Sequence, residues 1–281
     1  MIFHVEHATR YVYSQPVVLE PHVVRLRPRS DAGQRLMQYT LAVDPLPRGM
    51  TQCIDLDGDT TSHMWFGGET DSLTIVSTFS VETLRNNPYD FIVTDPGAMR
   101  LPMRIDGSFG HALAHYRKRP RASRDVDQFV RDVTSKAGEE TIPFLSTLNA
   151  TIYERSRKII RETGPPHPPE QTLMERAGSC RDLAVLFMDA CRAVGIPARF
   201  ASGYWHAESE REKRHMHAWV EVYLPGGGWR GFDPSKGLAV ADEHVAVAAA
   251  AEPADAAPVS GTFRGTGATA TMSTELNIHY D

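Results

Sequence analysis

The sequence predicts an α+β fold: an N-terminal all-β, sandwich-like domain followed by a core in which helices pack on an antiparallel sheet. Three observations carry that expectation. The first 85 residues alternate or cluster β-branched and aromatic residues between turn signals, the mark of half-buried strands. From Ser123 the apolar period changes to that of a helix. After Ile196 the strand pattern returns.

In the first region the strand candidates are FHVEHATRYVYS (3–14), HVVRLRP (22–28), QYTLAVDP (38–45) and LTIVSTFSVETL (73–84). Asp44-Pro45, Pro47-Arg48-Gly49 and Asp57-Gly58-Asp59 supply the turns between them. Residues 86–122 are irregular and rich in Pro and Gly. Val126, Phe129, Val130 and Val133 then recur at helical spacing behind a Ser123 cap. A second helix is expected over about Ser146 to Glu162, closed by Gly164 and Pro165. The segment 246–260, AVAAAAEPADAAPVS, is low in complexity, and Pro253 and Pro258 make it a surface loop. Met272, Thr274, Leu276 and Ile278 alternate with polar neighbours and give a last strand that re-joins a sheet. The expected division is 1–90 β-rich domain, 91–122 connecting segment and 123–281 core.

Composition bounds the function. A formal charge of −5 without long basic runs argues against nucleic acid and against an anionic membrane surface. No window nears the roughly 18 consecutive apolar residues of a spanning helix, and no signal peptide is visible in MIFHVEHATRYVY. Three cysteines argue against a disulfide framework and fit a reducing cytoplasm.

The richest stretch is AGSCRDLAVLFMDACRAVGIPARF, residues 177–200. Ser179 and Asp182 stand in capping-box relation, so a helix should begin at Cys180. Leu183, Leu186, Phe187, Ala190 and Val194 form its apolar stripe, Gly195 its left-handed C-terminal cap, and Pro197 its stop. A thiol in the first turn meets free backbone N–H groups and the positive end of the macrodipole, which favour the thiolate. Cys180 is therefore a nucleophile candidate, its own N–H a candidate oxyanion donor. Cys191 reads as core and Cys53 as inert. Cys180 and Cys191 cannot share a metal, because eleven residues of helix separate them by about 16 Å.

A nucleophilic thiol needs a base, and the base an orienting acceptor. HMHAWVEVYLPGGGWRGFDPSKGL (215–238) offers both on one hairpin. His217, Trp219, Glu221 and Tyr223 share a strand face, and Asp233 lies on the returning arm. If Leu224 pairs with Trp229, Asp233 opposes Val220 and points away from His217. If Tyr223 pairs with Trp229, Asp233 opposes Trp219 and reaches His217 diagonally. A triad requires the second register. His215 shares the face of His217, so the pattern alone does not choose between them. A His-x-His metal pair lacks a third ligand at a recognisable spacing. DLDGD (55–59) has its glycine at the wrong offset for a calcium loop.

The two stretches GSCRDLAVLFMDACRAVGIPARFASGYW and HAWVEVYLPGGGWRGFDPSKGL resemble the bacterial transglutaminase-like superfamily, whose core is papain-like. HATRYVYSQPVVLEPHVVRLRPR resembles the β-rich region that precedes this core in many bacterial members. The resemblance implies a Cys180–His217–Asp233 triad, with Cys180 as nucleophile, His217 as base and then acid, and Asp233 fixing the imidazole; it selects His217 over His215. Lys236 stands where many members carry Asn. Gln171 lies near the nucleophile but off any motif position, so a second oxyanion donor is not placed. The expectation is acyl transfer on a peptide or protein amide through a thioester, with hydrolysis favoured over crosslinking and a non-catalytic scaffold as the remaining reading. No cofactor and no metal are called for.

Overall fold

Strand β1 (Ile2–Val24) is the longest element; Phe3, Val5, Tyr13, Val17 and Leu19 are buried on one parity, and an irregularity between Leu19 and His22 shifts the buried face to His22 and Val24. The computed structural model describes residues 1–105, 107–161, 163–206 and 215–281. After β1 come β2 (Gln34–Asp44), β3 (Gly49–Ile54), β4 (Thr60–Trp65) and β5 (Thr70–Thr83). β1 pairs antiparallel with β5 over its first half and with β4 near its end, and the order across the sheet is β2-β5-β1-β4-β3. Two C-terminal strands complete it: β13 (Val259–Arg264) and β14 (Ala270–Tyr280) both pair with β1. The last strand does re-join a sheet, and that sheet is the N-terminal one.

The central part holds α1 (Gly107–Ala112), α2 (Arg124–Ala137), α3 (Thr141–Arg155), α4 (Pro169–Glu175) and α5 (Cys180–Ala193). α2 begins after Ser123 and buries Val126, Phe129, Val130 and Val133, the four residues whose spacing announced it. α3 occupies different residues from those expected, starting at Thr141 and ending at Arg155 rather than near Glu162. Pro143 is tolerated in its first turn, where no intrahelical N–H bond is required. The chain then leaves the helix so that β6 (Arg157–Lys158) can pair with β7 (Ala177–Gly178).

The second sheet has the order β11-β10-β9-β8-β12, from β8 (Ala198–Trp205), β9 (His217–Leu224), β10 (Gly228–Asp233), β11 (Leu238–Ala239) and β12 (His244–Ala250). On one face Leu183, Leu186, Phe187 and Ala190 of α5 pack against Ala218, Val220, Val222 and Phe232. On the other, Tyr204, Val245 and Val247 pack against Phe3, Val5, Phe79 and Val81 of the N-terminal sheet. The layers are thus helices, sheet, sheet.

β12 corrects the loop expected over 246–260. Every residue from His244 to Ala250 is buried. Alanine has little intrinsic strand preference, but tertiary packing overrides propensity, and small side chains suit a strand with protein on both faces. Only the stretch between Ala250 and the start of β13 at Val259 is irregular or 3₁₀, the latter at Pro253–Ala256.

Gly203 shows how close β8 and β12 lie. A Cβ there would fall 2.0 Å from the Val245 carbonyl oxygen and 2.8 Å from the Trp219 ring. Gly203→Ala should therefore destabilise the protein by about 1–3 kcal/mol, read as a lower urea midpoint with an unchanged slope.

Candidate functional site

The nucleophile candidate is placed by a carboxylate. Ser179 donates its backbone N–H (2.8 Å) and its hydroxyl (2.7 Å) to Oδ2 of Asp182, three residues on. Asp182 Oδ1 accepts the His167 N–H at 2.7 Å and is paired with the Arg161 guanidinium. Burial opposes the charge, but these donors hold the Asp182 carboxyl below the usual range. The start of α5 is therefore fixed from both sides, and Cys180, partly buried, is its first residue as expected. Cys191 is fully buried, and burial pushes its thiol up, as befits a core side chain. Cys53 is exposed on β3, its sulfur 3.2 Å from the Thr61 hydroxyl.

The β9–β10 hairpin adopts the register that brings the imidazole and carboxylate together. Tyr223 pairs with Trp229 and Val220 with Phe232. The turn is tightened to residues 225–227, with Leu224 also pairing with Gly228, and Gly226 takes a φ of +88° that favours glycine. The next residue, Asp233, then shares the face of His217, and His217 Nε2–H donates to Asp233 Oδ2 at 2.6 Å. His215 makes no such bond: among the described residues the histidines on Asp233 are His217 and His244.

Asp233 is wholly buried and accepts five donors. Oδ1 takes the Ser235 N–H (2.9 Å), the Ser235 hydroxyl (2.7 Å) and the Lys236 N–H (3.2 Å). Oδ2 takes His217 and, at 3.0 Å, His244 Nε2–H. Burial alone would raise its pKa, yet the neighbouring imidazolium and these donors hold it well below the carboxylate range. His217 moves the opposite way. Burial disfavours its charge, but Asp233, with help from Cys180, raises its pKa well above the ordinary value. For Cys180, burial again opposes ionisation; the hydrogen bond and charge of His217 and the Ala218 N–H outweigh it, and the thiol is acidified. A thiolate–imidazolium pair backed by a carboxylate is the state this arrangement favours, and such a pair can attack a carbonyl carbon and then protonate a leaving amine.

His244 did not emerge from the sequence. It opens β12, two residues before the run read as a loop, and only a buried-strand reading of HVAVAAA would have exposed it. His217, Asp233 and His244 also place three ligand-type atoms within 4.8 Å of one another. Their separations of 2.6 and 3.0 Å suit hydrogen bonds. A tetrahedral zinc with bonds near 2.0 Å needs ligand atoms about 3.3 Å apart, so the cluster would have to open to hold one.

Around the imidazole, Trp205 lies with its ring centroid 6.0 Å from that of His217, and the Lys236 ammonium sits 3.5 Å over the Trp205 ring. Lys236 thus serves the carboxylate through its backbone and the rim through its side chain. Gln171 donates to Glu175 at 2.8 Å on the surface of α4, an engagement that does not support it as an oxyanion donor.

Residues 3–82 match the bacterial transglutaminase-like N-terminal region, and residues 127–234 match the transglutaminase-like superfamily. An uncharacterized protein of Mycobacterium leprae is 27% identical over 272 residues, covering 94% of both chains. The crystal structure of a Cytophaga hutchinsonii protein, provisionally named a cysteine protease, superposes with a TM-score of 0.72 at 23% identity, covering 100% of this chain and 91% of that one. A protein-glutamine gamma-glutamyltransferase of Pseudomonas aeruginosa is 36% identical over 67 residues, which are 21% of this chain and 10% of that protein. No helix among the described residues is long and apolar enough to cross a membrane.

Both depressed carboxylates carry a pH consequence. Their stabilisation is complete above the unfolded-state value near 4 and is lost as pH falls from there toward their folded values. Asp182→Asn leaves Arg161 facing a neutral group at the helix start and should cost about 2–3 kcal/mol at pH 7. The same substitution should cost less at pH 3, and urea unfolding at the two pH values reads both.

Proposed function

The chain belongs to the transglutaminase-like superfamily, and from that premise we propose that it is a cysteine-dependent acyl-transfer enzyme that hydrolyses peptide-like amides. The observation that carries this reading is the Cys180 thiol at the head of α5, hydrogen-bonded to a His217 imidazole that itself bonds Asp233 at 2.6 Å. In the first half-reaction the Cys180 thiolate attacks the amide carbon, forming an S–C bond. The oxyanion develops at the helix N-terminus, where the Cys180 N–H is free to donate. His217 gives its proton to the departing amine as the C–N bond breaks, leaving a thioester. In the second, neutral His217 takes a proton from water, hydroxide adds to the thioester carbon, and the thiolate leaves as the acid forms. Asp233 stays ionised throughout and holds the ring.

Peptide or protein amides are the substrate class that the superfamily suggests. Water needs no second docking surface, which favours hydrolysis. The stretch shared with the Pseudomonas glutamyltransferase supports a second reading, in which a primary amine takes the place of water at the thioester. Mass spectrometry of acyl-donor peptides with and without an added primary amine separates them. Amine adducts in excess of free acid would reverse the ranking.

Cys180 should react with iodoacetamide at pH 6–7 about tenfold or more faster than an unperturbed thiol of pKa near 8.5, with the rate falling as pH drops through the thiol's own lowered value. Cys180→Ala should abolish turnover. Asp233→Asn should lower kcat by about 10²–10⁴-fold while the far-ultraviolet circular dichroism stays unchanged. Alkylation of Cys180 at the rate of a free thiol would overturn the proposal.

A further inference from the structure

We infer that His244 is a positioning residue of the proposed relay: from β12 it donates Nε2–H to the same Asp233 oxygen that holds His217, fixing the carboxylate and moderating its grip on the His217 proton. This rests on the reading of Cys180, His217 and Asp233 given above.

The placement is specific. His244 is the first residue of β12, where it pairs with Trp205 of β8, and its side chain is 1% exposed. The ring meets Trp219 edge-on at 5.2 Å and lies 5.9 Å from the His217 ring. Nε2 is 3.0 Å from Asp233 Oδ2, while Nδ1 is buried with no partner among the described residues. That pair of facts sets the tautomer. The nitrogen facing a carboxylate must carry the proton, and a second proton on Nδ1 would leave a buried donor unsatisfied. It would also set two cations side by side, since His217 lies against the same oxygen. The titratable groups around His244 are Asp233, His217 with Cys180 behind it, and its neighbour Glu243. Burial outweighs the pull of the carboxylates and keeps the His244 pKa below the ordinary value, consistent with a neutral ring.

Two consequences follow for His217. Oδ1 is committed to Ser235 and Lys236, so a second donor on Oδ2 leaves the carboxylate no freedom to turn about its bond. A hydrogen bond to Oδ2 also draws charge from the oxygen that holds the His217 proton. Without it, Asp233 would stabilise the imidazolium more strongly, and a general acid that must release its proton to a departing amine would release it less readily.

The test is the rate of Cys180 alkylation by iodoacetamide from pH 4 to 11. Two steps are expected in the wild type: ionisation of the thiol against the imidazolium, then loss of the imidazolium proton. His244→Asn puts its amide where Nδ1 stood, losing the bond, and should raise the upper step by about half a pH unit or more. His244→Gln, whose amide reaches the Nε2 position, should return it close to the wild-type value. An upper step unmoved by His244→Asn, in a wild type that shows both steps, would overturn this inference and leave the proposed function standing. A wild type lacking accelerated alkylation would instead overturn the function. If His244→Asn does not fold, nitrogen-15 histidine spectra of the wild type decide: a neutral Nε2–H ring between pH 5 and 9 supports the inference, and an ordinary titration or an Nδ1–H ring sinks it.

Discussion

A buried negative charge sets the terms for the rest of this structure. The Asp233 carboxylate is wholly enclosed, and an isolated carboxylate in such a place would take up a proton rather than remain ionised. It stays charged because three segments supply donors: the turn after β10 through Ser235 and Lys236, β9 through His217, and β12 through His244. Each donor depends on a backbone feature some distance away. The hairpin must take the Tyr223–Trp229 register, and β12 must lie beside β8 at the height of Trp205. A one-residue slip of β10 would turn Asp233 to the other face and leave the carboxylate without its imidazole.

The same charge governs the thiol indirectly. Asp233 raises the His217 pKa, and the imidazolium in turn stabilises the Cys180 thiolate beyond what burial would allow. The helix start contributes the other half, since the Asp182 cap fixes where the first free N–H groups of α5 point. Two buried carboxylates thus do complementary work. One positions the backbone that carries Cys180, the proposed nucleophile, and the other the imidazole proposed to exchange a proton with it.

Local chemistry was legible in the sequence, and packing between distant segments was not. Ser179, Asp182, Gly195 and Pro197 announce α5 because capping and termination are local events. Period-2 alternation reveals β1, β5 and β9 for the same reason. The hairpin could be narrowed to two registers from its residues, but choosing between them needed either the chemistry of the site or the coordinates. α3 was misplaced because its stripe is weak and its end is set by the pairing of Arg157–Lys158 with Ala177–Gly178, a partner twenty residues on. β12 was missed because alanine signals a strand only when two layers press on it, and one of those layers comes from residues more than a hundred positions away. His244 was lost with it.

Those layers explain why the N-terminal region bears on the site. Val245 and Val247 face Phe3, Val5, Phe79 and Val81. The edge of β12 left open by β8 is also taken up by N-terminal groups. Gln34 exchanges both amide hydrogen bonds with the Ala246 backbone, at 2.8 and 2.9 Å. The Arg29 N–H donates to the Ala246 carbonyl at 3.0 Å, and the Ala249 N–H donates to Asp59 at 2.7 Å. An edge strand with exposed backbone groups would fray or pair elsewhere. Here it is held by the half of the protein that carries none of the reacting groups. Because β12 also carries His244, the N-terminal region reaches Asp233 through the bonds that Gln34, Arg29 and Asp59 make to the β12 backbone and then through one imidazole.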